Sequence, residues 1–334
     1  METLLSVRNL SIGIVRKNRT GKNRMLIPVE DISFDIYPGE IAGLVGESGS
    51  GKSLTALSIP GLLDENKPVT GGSILFSRGA SGEKTDILNL SDRELQAVRG
   101  KEISMIFQEP FSSLNPLKKI GDQIAETLIL HGEKDKGRIR KRVIEVMEKL
   151  KLHEPEKLME SYPHRLSGGM CQRVMIALAV ICRPRLLIAD EPTTALDQNT
   201  QGQILELMKE INRDFGTSVL FISHDLALVK SFSSRVLVMY AGRILEEGPS
   251  GEIFNNPAHE YTKGLLRSIP NRAGKGKDLA SIPGKIPSLE EGRPRGCPFH
   301  PRCGKAVPAC KEEFPPARNI SANHITHCVL GEAK

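Results

Sequence analysis

A glycine-rich segment near the N-terminus constrains this chain more than any other feature of its sequence. Residues 46–53 read GESGSGKS and fit the phosphate-loop pattern G-x-x-x-x-G-K-[S/T]. The apolar run 40–45 before them predicts a buried strand, and a helix is expected from Lys52 to about Leu62. A loop of small residues between a strand and a helix can turn its backbone N–H groups inward, toward phosphate oxygens. The segment therefore predicts a site for ATP with magnesium, and its context argues against a chance match in a linker.

Each residue type in the loop suits one part of a magnesium nucleotide. Lys52 should reach the terminal phosphates, and the Ser53 hydroxyl should bind the metal. We expect the remaining phosphate contacts to come from the rest of the loop and the start of the helix, namely Gly46, Ser48, Gly49, Ser50, Gly51 and Leu54.

The composition is that of an ordinary globular protein. Of 334 residues, 39% are hydrophobic and 26% are charged. No apolar run is long enough to cross a bilayer, and the N-terminus lacks a secretory pattern, so a cytosolic protein is expected. A net charge of +6, the absence of Trp and an aromatic content of 4% argue against nucleic-acid binding.

Strands that alternate with helices predict a mainly parallel sheet with polar residues at the strand ends. The strands are expected at 103–107, 185–191 and 218–224. Asp190 could hold the magnesium shell while Glu191 polarises an attacking water. Gln108 could reach the metal and the water, and His224 could bond a terminal phosphate or that water. Taken alone, Gln108 could be a turn residue and His224 a solvent residue.

A second candidate phosphate-binding end follows a helical stretch at about 118–152. Ser167, Gly168 and Gly169 begin a predicted helix that runs to Cys182. A role as helix cap explains the serine but not the two glycines that follow it. The N-terminus of a helix can bind phosphate through its backbone N–H groups, without a lysine. Two different phosphate-binding ends suggest that two chains close face to face, each presenting 167–169 to the nucleotide in the partner's phosphate loop.

The order of these motifs resembles that of the ATP-binding cassette (ABC) family over residues 4–265. In sequence come the phosphate loop, Gln108, the signature LSGGMCQR at 166–173, the acidic strand end, Ala195-Leu196-Asp197 and His224. The resemblance implies an α/β, P-loop NTPase fold with a mixed-sheet core, an antiparallel β subdomain and a helical subdomain at about 112–182. It also implies head-to-tail dimers around two ATP molecules, whose hydrolysis drives a membrane permease.

Three further segments are similar to the dipeptide, oligopeptide and nickel importer branch of that family. They are 107–116, 162–170 and 256–262, joined by an extension that includes 282–289 and 296–303. The branch implies an ATPase domain at 1–265, an extension at 266–334, and a peripheral subunit on the cytoplasmic face of the inner membrane. Its partners would be two permease subunits contacted by 108–116, a second ATPase subunit, more often a related chain than a copy, and an extracytoplasmic binding protein.

The cargo stays open between peptides and nickel or another metal chelate, since partners choose it. A soluble ABC ATPase of translation or DNA repair is the alternative from another class. Such a protein would need two cassettes in one chain or a long coiled-coil insertion, and neither is present.

Four residues depart from the common family pattern. Met170 and Cys171 alter the signature, although the importer branch often has methionine at the first position. Ile14 lies about where an aromatic residue stacks on adenine, and Leu54 replaces a second hydroxyl. Because none of these changes affects the phosphate-binding lysine or the catalytic carboxylates, we expect hydrolysis.

Four of the six cysteines crowd the last forty residues. Cys297, Cys303, Cys310 and Cys328 are separated by five, six and seventeen residues, unlike the paired knuckles of common zinc sites. In a cytosolic chain such a group favours a metal or iron–sulfur site over disulfides, and four thiolates suit a [4Fe–4S] cluster, which the importer branch also implies. Zinc and free thiols remain alternatives, with His300 and His327 as possible ligands.

Overall fold

The computed structural model describes residues 2–17, 21, 23–79, 82–108, 113–194, 196–269 and 282–331. The chain divides into two compact units. The unit that we call the phosphate-loop unit comprises residues 5–35, 41–76 and 221–334. The other, the helical unit, comprises residues 1–4, 36–40 and 77–220.

The phosphate-loop unit is built on strands from both ends of the chain. Its strands are β1 (Leu5–Lys17), β2 (Asn23–Ile36), β3 (Ile41–Val45), β4 (Val69–Arg78), β9 (Arg235–Tyr240), β10 (Arg243–Pro249), β11 (Arg318–Ser321) and β12 (His324–Thr326). In one sheet β1 lies between β2 and β4 and pairs antiparallel with β4. In the other the order is β11-β12-β10-β9-β3, where β3 and β9 are parallel and the remaining pairs antiparallel. The predicted antiparallel strands and the mixed sheet are therefore present.

Short helices complete the phosphate-loop unit. They are α1 (Lys52–Ser58), α8 (Leu226–Phe232), α9 (Ser250–Asn255) and α10 (Glu260–Arg267). The helix after the phosphate loop ends at Ser58, earlier than the predicted Leu62, because a turn follows at Ile59 and Pro60. Near the start of the expected C-terminal extension, residues 270–281 lie outside the described part of the chain.

The helical unit packs amphipathic helices beside parallel strands. Its elements are β5 (Glu83–Asp86), α2 (Asp92–Val98), β6 (Ile103–Ile106), α3 (Ile120–Leu130), α4 (Lys136–Lys149), α5 (Pro155–Met159), α6 (Gly168–Val180), β7 (Leu186–Asp190), α7 (Gln198–Phe215) and β8 (Ser218–Ile222), whose last residues belong to the other unit. Strands β6 and β7 pair in parallel, as predicted. In α4, Ile139, Val143 and Val146 are buried on one face, and α3 and α6 contact this helix.

Two predicted boundaries extend too far. Helix α6 ends at Val180, so Cys182 lies beyond it, since Pro184 follows closely and disfavours helix before it. Strand β8 ends at Ile222, and His224 stands two residues past it. Among the helices of the described ranges, none is both long enough and apolar enough to cross a membrane.

Within the phosphate-loop unit, a buried ion pair joins the C-terminal strand β12 to β10. The Nε2 atom of His324 on β12 lies 2.7 Å from Oε1 of Glu246 on β10, and both side chains are fully buried. Glu246 also accepts from the backbone N–H groups of Ala258 and His259, at 2.6 and 3.0 Å. Burial by itself would lower the pKa of His324. The hydrogen bonds and negative charges of Glu246 and Glu252 have the larger combined effect, so the pKa of His324 lies above its usual value.

Replacing His324 with alanine is expected to lower the free energy of unfolding by about 3–5 kcal/mol, because the Glu246 carboxylate stays buried without its partner. The raised pKa makes this stabilisation fully present below the unfolded value of about 6.5 and weaker as pH rises through the folded value. Urea unfolding at about pH 6 and about pH 9 measures the difference. An equal cost at both pH values would contradict the ion pair, and His153→Ala, at an exposed site, is the control.

Candidate functional site

The phosphate loop connects β3 to α1 and folds around its own lysine. Lys52 is 6% exposed, and its Nζ donates to the backbone carbonyls of Gly46 and Glu47, at 2.8 and 3.0 Å. A further bond joins Nζ to Oγ of Ser50, at 3.4 Å. The ammonium group therefore lies inside the curve of the loop, where phosphate binding requires a cation.

Two of the pattern glycines are required by the loop geometry. A Cβ atom at Gly46 would lie 2.0 Å from the Met239 carbonyl oxygen, and Gly51 has a φ of +104°. The flanking residues Ser48, Gly49 and Ser53 are exposed. These three residues are therefore accessible to a ligand, while Gly46 is packed against the backbone of Met239.

In the helical unit, the structure brings together two of the predicted catalytic residues. Glu191 directly follows β7, and its Oε2 accepts from Nε2 of Gln108 and from Oγ1 of Thr194, each at 3.0 Å. Glu191 has a φ of +48°, an uncommon conformation that is found at functional sites. Its neighbour Asp190 ends the strand and is 6% exposed. The two carboxylates therefore differ in environment, one buried and one held by amide and hydroxyl donors.

The signature segment forms the start of α6. Ser167 is exposed and caps the helix by accepting from the Met170 N–H at 3.3 Å. Ser167 and Gly169 line an open groove of about 990 Å³ within the helical unit. The helix start is thus open to a ligand, as the second phosphate-binding end would need. Asp197 caps the following helix by accepting from the Thr200 N–H at 3.0 Å, while Ala195 lies outside the described residues.

His224 lies in the phosphate-loop unit, on a turn that hydrogen bonds fix on both sides. The Ser223 hydroxyl accepts from the Asp225 N–H at 3.0 Å, and Asp225 caps α8 through the Ala227 N–H at 2.8 Å. His224 itself is exposed. The turn therefore presents the imidazole at the end of a buried strand, as the sequence predicts.

The four C-terminal cysteines line one small cavity. Cys297, Cys310 and Cys328 are buried and Cys303 is partly buried; all four are unbridged. The cavity measures about 10 Å³, no more than the space that one water molecule needs. Across the described ranges, no three His, Cys, Asp or Glu side chains are arranged to hold a metal ion. The donor set fits a group bound through thiolates, but a cubane cluster requires the thiols to move outward.

One of the two histidines expected at the cavity lines it, and the other does not. His300 lines it, whereas the His327 ring stacks on Phe314 and its Nδ1 lies 2.9 Å from the Pro315 carbonyl oxygen. His259, which no local sequence pattern connects with the cysteines, also lines the cavity. Its Nδ1 accepts from the Tyr261 N–H at 3.0 Å, so the proton of the neutral ring is on Nε2, which is 3.7 Å from Sγ of Cys297. Burial lowers the pKa of His259 to about 4.

Comparison with known proteins assigns the chain to a family. The ABC transporter family matches residues 29–194, and the C-terminal region of oligopeptide/dipeptide transporters matches residues 245–310. The oligopeptide transport ATP-binding protein OppD of Escherichia coli is 46% identical over 295 residues, which cover 87% of this chain and 85% of that protein. The chain belongs to the ABC transporter family. The predicted membership and the ATPase activity that it implies are thereby confirmed.

Two further likenesses support the assignment of this ABC ATPase. The dipeptide transport ATP-binding protein DppD of Bacillus subtilis is 44% identical over 335 residues, covering 100% of this chain and 96% of that protein. A solved dimeric, post-hydrolysis structure of the ATP-binding cassette MJ0796, bound to ADP and Pi, superposes with a TM-score of 0.63 at 27% identity. It covers 74% of this chain and 98% of that one. The predicted ABC-type fold is confirmed.

Proposed function

We propose that this ABC ATPase energises the import of dipeptides or oligopeptides through a separate membrane permease. The observation that carries the proposal is a likeness that extends through both the ATPase region and the C-terminal region. Both relatives described above are transport ATP-binding proteins, one for oligopeptides and one for dipeptides. Nickel or another metal chelate is the rival cargo, because partner proteins choose what is carried.

In the mechanism that we propose for the hydrolysis of magnesium ATP, each of a few side chains has one role. Lys52 neutralises the terminal phosphates, and the Ser53 hydroxyl and the Asp190 carboxylate are magnesium ligands. Glu191 is the general base that polarises the attacking water. Its hydrogen bond from Gln108 supports this role, because the amide donor orients the carboxylate.

The remaining polar residues bind phosphate oxygens in this proposal. His224 donates to the terminal phosphate, and the N–H groups of the phosphate loop cradle the others. Ser167, Gly168 and Gly169 complete the site of a second ATPase subunit, either a related chain or a copy. The open groove beside Ser167 supports this assignment, as does the dimeric state of the similar cassette bound to ADP and Pi.

The proposed location is the cytoplasmic face of the inner membrane, where the subunit binds peripherally to two permease subunits. An extracytoplasmic binding protein would deliver the peptide. Exposed apolar side chains in the helical unit support a docking role, above all Leu117, which is 85% exposed, together with Phe107 at 42%. Of the segment expected to contact the permease, residues 109–112 lie outside the described part of the chain.

Replacing Leu117 with aspartate is expected to lower peptide uptake at least about tenfold while basal ATPase activity stays within about twofold, because a charge prevents apolar docking. Uptake of a labelled peptide by cells and ATPase activity of the purified chain measure the two effects. Leu289→Asp, at an exposed leucine of the C-terminal extension, is the matched control. Uptake that survives the Leu117 change would contradict docking through this residue.

We also propose that the extension, residues 266–334, holds a [4Fe–4S] cluster through Cys297, Cys303, Cys310 and Cys328. Three observations support it: one cavity is lined by all four thiols, they are unbridged, and the His259 Nε2–H faces the Cys297 sulfur. A cluster would supply a redox-active group held by thiolates. His259 would then donate to a ligating sulfur and orient it.

A further inference from the structure

The C-terminal extension reaches the phosphate loop through one buried arginine. The Arg302 side chain is 7% exposed, and its Nη1 lies 2.9 and 3.2 Å from the two carboxylate oxygens of Glu47. Glu47 is the second residue of the GESGSGKS loop. A charge-assisted bond between these residues therefore joins the extension to the nucleotide site within the phosphate-loop unit.

Arg302 has little freedom to move away from the loop. Its Nε donates to the Pro283 carbonyl at 2.8 Å, and its Nη2 donates to the Ile282 carbonyl at 3.2 Å. Nη1 also donates to the Tyr240 hydroxyl at 3.2 Å. Since every nitrogen of the guanidinium has a partner, its cation is held at a fixed position beside Glu47.

The backbone of Glu47 is held from the same side. Its N–H donates to the hydroxyl of Tyr261 at 2.9 Å. The Tyr261 ring packs against Tyr240 and against Phe299, with ring centroids 4.6 and 5.3 Å apart. Phe299 adjoins the short 3₁₀ helix His300–Arg302 that carries the arginine. The extension thus holds the side chain of this loop residue directly, and it supports the backbone contact only through the packing of Phe299 on Tyr261.

The charge of Glu47 is unfavourable for a nucleotide site. Its backbone carbonyl accepts from Nζ of Lys52 at 3.0 Å, so the carboxylate belongs to a residue that touches the phosphate-binding cation. An uncompensated carboxylate there would repel the phosphates of ATP and attract the lysine. Arg302 supplies the compensating charge from the C-terminal extension, 255 residues away in sequence.

We propose that Arg302 is a positioning residue for ATP binding. It neutralises the charge of Glu47 and fixes this residue at the start of the phosphate loop. The C-terminal extension thereby sets the affinity for ATP. The rate of hydrolysis depends on Glu191 in the other unit, so Arg302 acts on nucleotide affinity and not on the chemical step.

Equilibrium titration of the full-length chain with magnesium ATP tests this role. Arg302→Met is expected to raise the Kd for ATP about tenfold, which is about 1.4 kcal/mol, and in the importer complex to raise KM by a similar factor with kcat within about twofold. Arg302→Lys should weaken binding less than Arg302→Met does, because the charge is kept although the fork of hydrogen bonds is lost. Arg318→Met removes the same charge from an exposed site of the extension and should leave the Kd unchanged.

The double variant separates charge compensation from loss of fold. In the Arg302→Met chain, adding Glu47→Gln should return the Kd to within about twofold of wild type, because the repulsive carboxylate is gone. Glu47→Gln alone should bind ATP as tightly as wild type or up to about threefold more tightly. An Arg302→Met chain that binds ATP like wild type would overturn the proposal, as would a double variant that stays weak. If Arg302→Met fails to fold, weaker binding by Glu47→Gln alone would overturn it.

Discussion

Replacing Glu191 with glutamine is expected to lower kcat for ATP hydrolysis by at least about 100-fold, the effect of removing a general base. Glutamine keeps the size of the side chain and can still accept the bond from Gln108, so the change removes little but the basic oxygen. The Kd for ATP should stay within about twofold, because the substitution leaves the lysine and the backbone of the phosphate loop unchanged. Steady-state ATPase assays and equilibrium binding measure the two quantities.

A matched change tests whether the effect belongs to the base. Glu210→Gln, at an acidic residue that pairs with Lys151 on the surface of the helical unit, should leave kcat unchanged. A Glu191→Gln chain that retains more than about a tenth of the wild-type kcat would show that another group activates the water.

The second large effect is expected at the cysteine cavity. The anaerobically purified full-length chain should contain a [4Fe–4S] cluster, and Cys303→Ser should lose nearly all of the iron and acid-labile sulfide, because a cubane needs four thiolate ligands. Cys303 is the least buried of the four, so its replacement disturbs packing least. Iron and sulfide analysis and visible absorption give the readout without any activity assay.

The chain carries its own control for this experiment. Cys182→Ser changes a cysteine outside the cavity and should leave the iron content unchanged. A colourless wild-type chain that holds one zinc ion, or a chain with four titratable thiols and no metal, would contradict the cluster. Equal iron in the Cys303 and Cys182 variants would contradict the ligand assignment.

Strands that are set by a local pattern of apolar residues could be predicted from the sequence. Apolar runs that end in polar residues gave β3, β6, β7 and β8, since burial on both faces leaves a continuous hydrophobic signal. The approach of Gln108 to Glu191 also followed from pattern, because parallel strands end at one edge of a sheet. The family motifs supplied the roles that geometry alone leaves open.

Contacts between distant segments of the chain could not be predicted. Strands β11 and β12 are only four and three residues long, too short for a clear alternation, and tertiary pairing with β10 defines them. The bond between Arg302 and Glu47 spans 255 residues and has no local signal. His259 lies 38 residues before Cys297. The sequence of its segment, 256–262, indicates family membership but not the approach of a ring nitrogen to a cysteine sulfur.

These long-range contacts connect the C-terminal extension to the phosphate loop. The segment between Cys297 and Cys303 carries both Phe299 and Arg302, so the same turn joins the cysteine cavity to the phosphate loop. Changes that disturb the cavity should therefore be examined for ATP affinity as well as for metal content.

ATP hydrolysis in the complex recovered from native membranes, through a tag on this chain, shows whether this ATPase energises peptide import. Peptides, and separately nickel chelates, are added together with the cognate binding protein. Permease subunits should be recovered with the chain, and peptides should stimulate hydrolysis. Stimulation by nickel chelates alone, or the absence of any membrane partner, would contradict this function.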